Sequence, residues 1–350
     1  MRLTLIGPIP PPINGQSVVM HHVVSELAPR FRQMRIADTS EGVSTKWARP
    51  FTSMVRSMNA LRTVRGSDVV YIAVKAGKGM WLTTAAAGLA RMTGARVFLH
   101  HHSYAYIRER AFRMAALTRV AGSNAHHIVL SQSMAKDLGN TMPEIRRIIV
   151  VGNAGLIDKG LLALPLKADG GQLVLGHLSN LSLEKGIAQV VELAVALHLA
   201  DIPIRLIIGG PASDTRSQAH LDRASRELGE LFENRGPLTG DGKLKFFGAI
   251  THFIFPSRYS HEAAPLVLYE AMAAGAVCVA IRQGSISEQL DGSPSMLSEG
   301  VDSFVKNMLP ALAGASVSYT ASRGSRQAYV RALSESQRQF TDFVTLLGKC

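Results

Sequence analysis

Two glutamates, Glu262 and Glu270, stand on either side of a short apolar run in the second half of the chain. Pro265 suits the first position of a helix, because it has no N–H to leave unbonded and its φ is already helical. The free amides of such a helix, on Leu266 and Val267, would form a phosphate site together with the helix dipole. Carboxylates accept hydrogen bonds from sugar hydroxyls. The stretch therefore predicts a site for a phosphate flanked by hydroxyl-bearing rings.

The elements that must position these residues follow from the apolar pattern. Apolar residues recur at three- and four-residue spacing from Leu266 onward, which predicts a helix, and Gly275 suits the position just past its end. Residues 277–281 are apolar and rich in β-branched side chains, which predicts a central strand. Strand and helix patterns alternate along the chain, with glycine turns at strand ends. A chain of 350 residues built this way predicts two doubly wound α/β domains.

Residues 256–275, PSRYSHEAAPLVLYEAMAAG, resemble the Glu-x7-Glu signature of retaining family-4 glycosyltransferases of the GT-B fold, in the version found in bacterial polysaccharide-assembly enzymes. The resemblance implies two Rossmann-like domains that face each other across a cleft. It also implies that Glu262 faces the donor sugar and Glu270 holds the ribose of a nucleotide-diphospho sugar. Two solvated glutamates on a surface helix are the plain alternative, which the residues around them disfavour.

The resemblance assigns a cationic contact to the donor diphosphate. Lys185, near the end of the segment SNLSLEKG, matches a family lysine that meets the diphosphate. The family usually carries an arginine a few residues earlier. Here Asn180 stands at the best alignment and His177 at another, so one expected cation is missing. Arg258 is a candidate for that second charge, and Asn180 is kept as a donor-binding residue.

A second phosphate contact is predicted near the start of the chain. Residues 3–6 form a strand pattern, and Gly15 lies at the entrance of the helix that follows, where a backbone can approach a phosphate closely. The family usually has a Gly-Gly pair at this position. Asn14 departs from that pattern, and an ordinary strand-to-helix turn is the alternative.

Three consecutive histidines follow a predicted strand at residues 96–99, namely His100, His101 and His102. Successive side chains on a strand alternate between faces, so the three cannot converge on one metal ion without a turn. In the family that the chain resembles, a histidine after this strand sits against the donor sugar. His102 is the best match and His100 is the next, and an ordinary buried or exposed histidine is the alternative. The sequence has no Asp-x-Asp motif at the expected place. We therefore predict a metal-independent protein with no cofactor other than the donor substrate.

The order of the elements predicts four segments. Residues 1–160 form an N-terminal Rossmann-like domain, 161–171 a linker, and 172–320 a C-terminal Rossmann-like domain. The resemblance implies that the N-terminal domain binds the acceptor and the C-terminal domain binds the nucleotide sugar. Residues 321–350 are predicted to form a helix, and the resemblance implies that this helix crosses back to the N-terminal domain.

The positive charge is concentrated in the first half of the chain. Residues 1–165 hold 21 Lys and Arg against 8 Asp and Glu, whereas residues 166–350 hold 17 against 18. The chain has no nucleic-acid-binding motif and few aromatic residues among its basic ones, so nucleic acid is excluded as a partner. An anionic membrane surface touched by the basic N-terminal domain is the favoured reading, and a plain basic domain is the alternative.

Compartment signals favour the cytoplasm. The first residues lack the apolar core of a signal peptide, and no window reaches about 18 uninterrupted apolar residues. Two cysteines, Cys278 and Cys350, do not make a disulfide framework, which is typical of a reducing cytosol. We expect a cytoplasmic protein with peripheral contact at the inner face of the cell membrane.

The predicted function is a retaining hexosyltransferase that moves a sugar from a nucleotide-diphospho sugar to a glycan or polyprenyl-diphosphate-linked acceptor in polysaccharide synthesis. The alternative is a non-catalytic GT-B partner protein that binds the nucleotide sugar. The departures at Asn14 and Asn180 would suit it, as would Ala154, which separates Asn153 from Gly155 where the family often has Asn-Gly. A sugar-nucleotide epimerase would need a carboxylate set for C–H chemistry that is not evident. A Rossmann oxidoreductase would need a G-x-G-x-x-G spacing that residues 7–17 lack.

Overall fold

The computed structural model describes residues 1–11, 15–40 and 49–348, with the backbone alone for residues 49–55 and 57. The chain divides into two compact units. The first comprises Met1–Leu156 with Glu335–Cys350, and the second comprises Ile157–Ser334. Asn14, which departs from the family's Gly-Gly pair, and Cys350, one of the two cysteines, lie outside the described residues.

The first unit is built on a six-stranded parallel sheet in the order β2-β1-β3-β4-β5-β6. Its strands are β1 (Arg2–Gly7), β2 (Gln33–Asp38), β3 (Val69–Val74), β4 (Arg96–His101), β5 (His126–Val129) and β6 (Ile148–Val150). Its helices are α1 (Gly15–Leu27), α2 (Arg49–Val64), α3 (Met80–Met92), α4 (Phe112–Ala121) and α5 (Gln132–Thr141). Every residue of β3 is buried, as expected for a central parallel strand covered on both faces.

The second unit repeats the plan with a sheet in the order β12-β11-β10-β7-β8-β9, again parallel throughout. Its strands are β7 (Leu173–Leu178), β8 (Ile204–Gly209), β9 (Phe232–Asn234), β10 (His252–Phe255), β11 (Val277–Ile281) and β12 (Met296–Ser298). Its helices are α6 (Ile187–Leu199), α7 (Thr215–Leu228), α8 (Asp241–Ala249), α9 (Leu266–Ala273), α10 (Ile286–Gln289) and α11 (Phe304–Ala313). The predicted class, two doubly wound α/β domains, is confirmed.

The last helix, α12 (Tyr319–Gly348), contributes to both units. Its residues from Glu335 onward belong to the first unit, where Phe343 and Leu347 are buried in the core. Arg96 at the start of β4 donates a 2.8 Å hydrogen bond to the carbonyl of Leu346, near the end of the helix. A cation at this position also opposes the negative end of the helix dipole.

Several local expectations need correction. Pro265 is the residue before α9 and not its first helical residue, since its ψ of 119° is extended. His100 and His101 belong to β4 instead of following it. The polar stretch of residues 214–232 predicts one continuous helix, but α7 ends at Leu228, because Gly229 takes a φ of 54° and the chain enters the edge strand β9.

The segment predicted as a linker, residues 161–171, lies within the second unit. Lys167 is nearly buried there, and its ammonium donates to the carbonyls of Phe247 and Gly248 at 3.0 and 2.8 Å. Burial, with Arg326 nearby, lowers the pKa of Lys167 to about 8.

None of the helices in the described parts of the chain is both long enough and apolar enough to cross a membrane.

Gly186 connects Lys185 to α6 and is held in a backbone conformation that other residues rarely adopt, with a φ of 88°. A Cβ added there would lie 2.6 Å from the carbonyl oxygen of Pro256, after β10. Gly171 has nearly the same φ, 89°, but a Cβ there would meet nothing within 4 Å. Alanine variants at the two glycines therefore separate the cost of a left-handed backbone from the cost of a steric clash with Pro256.

We expect Gly171→Ala to lower the free energy of unfolding by roughly 1 kcal/mol, the cost of a left-handed alanine. Gly186→Ala adds overpacking against a backbone carbonyl, a further loss of roughly 2 kcal/mol. Urea unfolding of the two variants measures the difference. Equal losses would show that the loop before α6 does not depend on the close approach to Pro256.

Candidate functional site

The first feature of the second unit is an ion pair between two residues that the sequence singled out. Lys185 follows β7, and Glu262 lies in the loop between β10 and α9. The Lys185 Nζ and Glu262 Oε2 atoms are 2.5 Å apart. The hydroxyl of Ser257 donates to the same carboxylate oxygen at 3.0 Å. The predicted phosphate contact and the predicted sugar contact are thus joined directly.

Aromatic rings surround the lysine of this pair. The Lys185 ammonium lies 4.6 Å from the centre of the Tyr259 ring and 5.9 Å from that of Phe255. Such cation–π contacts hold an ammonium in place without neutralising its charge. Burial, together with the charges of Glu262 and Glu184, raises the pKa of Tyr259, so that it stays a neutral phenol.

A second ion pair, which the sequence did not predict, holds Glu270. The Lys243 Nζ atom lies 2.5 Å from Glu270 Oε1, and the glutamate is only 7% exposed. Lys243 is the third residue of α8, 27 positions before its partner, in a stretch without a recognisable motif. No local signal in the sequence could have identified it. The pairing matters because burying an unpaired carboxylate is costly.

The start of α9 lies between these two glutamates along the chain. Its position is fixed by Pro265, whose carbonyl accepts hydrogen bonds from the Leu268 amide at 3.2 Å and from Gln289 Nε2 at 2.9 Å. The first amides of a helix have no intrahelical acceptor, and those of α9 belong to Leu266 and Val267, which are both partly exposed. The arrangement can therefore bind an anion between two lysine–glutamate pairs.

His177 does not supply the second positive charge that the family usually places against the donor diphosphate. This histidine is fully buried in β7, with Nδ1 2.8 Å from the Ile254 carbonyl and Nε2 2.9 Å from Ser179 Oγ. Nδ1 must carry the proton, because a carbonyl can only accept. Burial and the charge of Lys185 lower the pKa of His177 to about 4, so it is neutral at pH 7.

Asn180 and Arg258 both lie on exposed loops after strands of the second sheet. The Asn180 loop packs closely against the loop after β8. Gly210 there has a φ of 115°, and a Cβ on it would fall 1.8 Å from the Ser179 carbonyl oxygen. The amide of Arg258 donates to the Glu184 carbonyl at 2.8 Å, which fixes its backbone next to Lys185.

The two remaining predicted residues, Gly15 and His102, belong to the first unit. Gly15 is the first residue of α1, and a Cβ added to it would meet no atom of the described residues within 4 Å. The next residue, Gln16, donates from Nε2 to the Val74 carbonyl at 3.3 Å. Packing against the described residues therefore does not require a glycine at position 15.

The histidines of β4 alternate between two sides of the strand, as expected. His100 and His102 lie together with ring centres 4.1 Å apart, and His100 Nδ1 is 2.5 Å from the Tyr71 hydroxyl. His101 faces the other way and stacks on His127, with Nε2 to Nδ1 at 3.0 Å. Within the described residues, no group of three His, Cys, Asp or Glu side chains could hold a metal ion.

Burial keeps this histidine cluster neutral. It lowers the pKa of His102 to about 3, and it lowers the pKa of His100 and His101 well below the usual value. His102 is partly exposed, but its Nε2 atom is buried and has no hydrogen-bond partner among the described residues. A neutral imidazole of this kind can exchange hydrogen bonds with hydroxyl groups.

Comparison with known proteins places these features in a family context. Residues 165–293, which include both lysines and both glutamates, match the family model described as glycosyl transferases group 1. No curated protein sequence matches the chain significantly.

Solved structures match nearly the whole chain at low sequence identity. Alr3699/HepE from Anabaena, in complex with UDP and glucose, is 13% identical over 99% of each chain, with a TM-score of 0.67. Sucrose-phosphate synthase (tll1590) from Thermosynechococcus elongatus is 14% identical over 99% of each chain, with a TM-score of 0.70. The lipopolysaccharide outer core galactosyltransferase WaaB is 15% identical over 96% of this chain and 99% of its own, with a TM-score of 0.65. The chain has the GT-B fold.

The buried histidines give the protein a specific response to acid. Histidine in an unfolded chain titrates near pH 6.5. Burial lowers the pKa of His127 to about 3 and contributes most to lowering that of His177 and of His252 to about 4. At pH 7 both states are neutral. Below pH 6.5 the unfolded chain takes up protons that the folded chain cannot, so stability falls until the folded values are reached.

We expect the free energy of unfolding to fall by more than about 1.4 kcal/mol per pH unit near pH 5.5, the slope for one proton. Carboxylates contribute little to this slope, because those of the unfolded chain are still largely ionised at pH 5.5. Urea unfolding between pH 7 and pH 5 measures the slope. A free energy of unfolding that is flat across this range would contradict the account.

Proposed function

We propose that the protein is a glycosyltransferase whose donor is a nucleotide-diphospho sugar. The observation that carries this proposal is the pair of lysine–glutamate contacts around α9, inside the segment that matches the group 1 family model. Cations and free helix amides suit a diphosphate, and carboxylates suit sugar hydroxyls. A nucleotide sugar presents both kinds of group in one molecule.

Lys185 has the central role in the proposed reaction. As the bond between sugar and diphosphate breaks, negative charge develops on the departing diphosphate, and a preorganised cation lowers the barrier. Lys185 would leave Glu262 for the diphosphate, joined by the amides of Leu266 and Val267. Glu262, released from the lysine, would accept hydrogen bonds from the donor sugar.

Glu270 is assigned to the ribose of the nucleotide. An ionised carboxylate with two oxygens can accept from both ribose hydroxyls. The Lys243 Nζ atom lies 2.5 Å from one of those oxygens. We assign Lys243 the task of compensating the charge of this buried carboxylate and of orienting it until the nucleotide arrives.

The finer assignments follow the resemblance and await their tests. His102 would contact the donor sugar, and Gly15, Asn180 and Arg258 would contact the diphosphate. The transfer would retain the configuration of a hexose and need no metal. The acceptor would be a glycan or a polyprenyl-diphosphate-linked sugar in bacterial polysaccharide synthesis. UDP-sugars are the first donors to test, since HepE was solved with UDP and with UDP-glucose.

A GT-B protein that binds a nucleotide sugar without transferring it is the second candidate. The absence of a family arginine at Asn180 favours it, because one charge on the diphosphate would then lack its usual partner. Incubation with UDP-sugars separates the two candidates. Slow release of free UDP supports the enzyme, whereas tight binding without release supports the binding protein.

Replacing Glu270 with alanine is expected to weaken UDP affinity at least tenfold, since hydrogen bonds to a charged group contribute about 1.5–3 kcal/mol. Glu299→Ala is the matched control, because it breaks another ion pair of the same unit, with Arg282 at 2.8 Å. Calorimetric titration with UDP measures both. Equal affinity of the two variants would remove the ribose role of Glu270.

Replacing Lys185 with alanine is expected to lower kcat/KM for UDP release by about a hundredfold or more, the usual cost of removing a preorganised electrostatic contact. Lys306→Ala on the exposed surface of α11 is the control for lysine loss. If both variants release UDP at the rate of the unmodified protein, Lys185 does not act on the diphosphate.

A further inference from the structure

We propose that one surface of the first unit binds peripherally to the surface of an anionic lipid bilayer. This α3–α4 face is defined by the outward side chains Trp81, Met92, Phe112, Arg113, Arg119 and Val120. The inference rests on the proposed function for its biological purpose, since a lipid-linked acceptor lies at a bilayer. Its physical evidence is independent of the donor site.

The first line of evidence is exposed apolar surface. Phe112 and Met92 are 77% and 85% exposed, and Trp81 and Val120 are 46% and 37% exposed. Four of the ten large apolar side chains found exposed in the described part of the chain thus lie on these two helices. Exposed apolar side chains gathered on one face mark a binding surface, whereas scattered ones do not.

The second line is charge. Neither α3 nor α4 contains an acidic residue. The surrounding stretch, residues 75–125, holds eight Lys and Arg and a single acidic residue, Glu109. Arg113 and Arg119 are exposed on α4, beside Phe112 and Val120. The face therefore combines apolar groups with uncompensated positive charge.

The third line is the geometry of the two helices, which lie side by side and point the same way. The rings of Trp81 and Phe112, at the two N-terminal ends, have centres 6.0 Å apart. At the other end Arg91 of α3 donates to the carbonyls of Arg119 and Val120 at 3.3 and 3.2 Å. Trp81 and Met92 are separated by about 16 Å along α3, at 1.5 Å per residue.

This geometry favours a planar partner. Apolar groups at both ends of two fixed helices enter the same layer only if the helices lie flat on it. Tryptophan and phenylalanine settle at the boundary between lipid headgroups and acyl chains, and arginines beside them reach anionic headgroups. A second copy of the chain fits poorly, since a two-fold contact through this face would bring arginine against arginine.

The test is co-sedimentation of the full chain with phosphatidylcholine vesicles, with and without phosphatidylglycerol. We expect binding only when phosphatidylglycerol is present, and weaker binding as salt is raised. Arg113→Gln with Arg119→Gln should weaken it about 25-fold, at about fivefold per arginine. Phe112→Ser with Met92→Ser should weaken it about tenfold or more, through lost apolar burial.

Matched controls come from the second unit. Arg216→Gln with Arg226→Gln removes the same charge from the exposed side of α7, and Leu199→Ser with Val330→Ser removes exposed apolar side chains. Both should bind vesicles like the unmodified protein. Equal losses in the control and test variants would overturn the assignment of the face, as would no binding to anionic vesicles. Failure to bind anionic vesicles would instead indicate that the α3–α4 face binds an acidic protein.

UDP titration of the same variants separates this inference from the proposed function. The face variants should bind UDP with unchanged affinity, because their substitutions lie in the first unit and the lysine–glutamate pairs in the second. Vesicle binding without UDP binding would contradict the glycosyltransferase proposal and support membrane binding by the α3–α4 face. UDP binding without vesicle binding would support the glycosyltransferase proposal and contradict membrane binding by this face.

Discussion

The second unit depends on keeping two carboxylates charged in a largely buried place. Glu262 and Glu270 lie on either side of the start of α9, and each is compensated by a lysine 2.5 Å away. Without these partners the burial of Glu270 would cost several kcal/mol. The surrounding loops serve this pairing. Gly186 lets the loop after β7 approach Pro256 closely, and so carries Lys185 to the loop that follows β10.

The first unit solves the opposite problem, because its strand ends bury imidazoles that must stay uncharged. Burial lowers the pKa of each of His100, His101 and His102, and the hydrogen bonds of the first two join the neutral partners Tyr71 and His127. One unit therefore presents paired charges and the other presents neutral nitrogen atoms.

The sequence was most informative where burial is complete. The central strand Val277–Ile281 was predicted to the residue, because a strand covered on both faces is a continuous apolar run. The edge strands Gln33–Asp38 and Phe232–Asn234 were missed, since most of their residues are at least partly exposed and carry polar side chains. The Lys243–Glu270 contact was missed for another reason. It joins two segments 27 residues apart, and such pairs follow from tertiary packing and not from any local pattern.

Under the proposed function, the ion pairs would also limit which ligand the second unit accepts. Each glutamate is paired with a lysine, so a bare phosphate that drew Lys185 away would leave the Glu262 carboxylate with only its Ser257 hydrogen bond among the described residues. The loss would oppose binding, because a partly buried carboxylate needs donors. A ligand that carries hydroxyl groups beside its phosphates would donate hydrogen bonds to Glu262 while its phosphates bind Lys185. The same exchange would disfavour inorganic phosphate and free sugar alike, and it would select a molecule in which the two are joined.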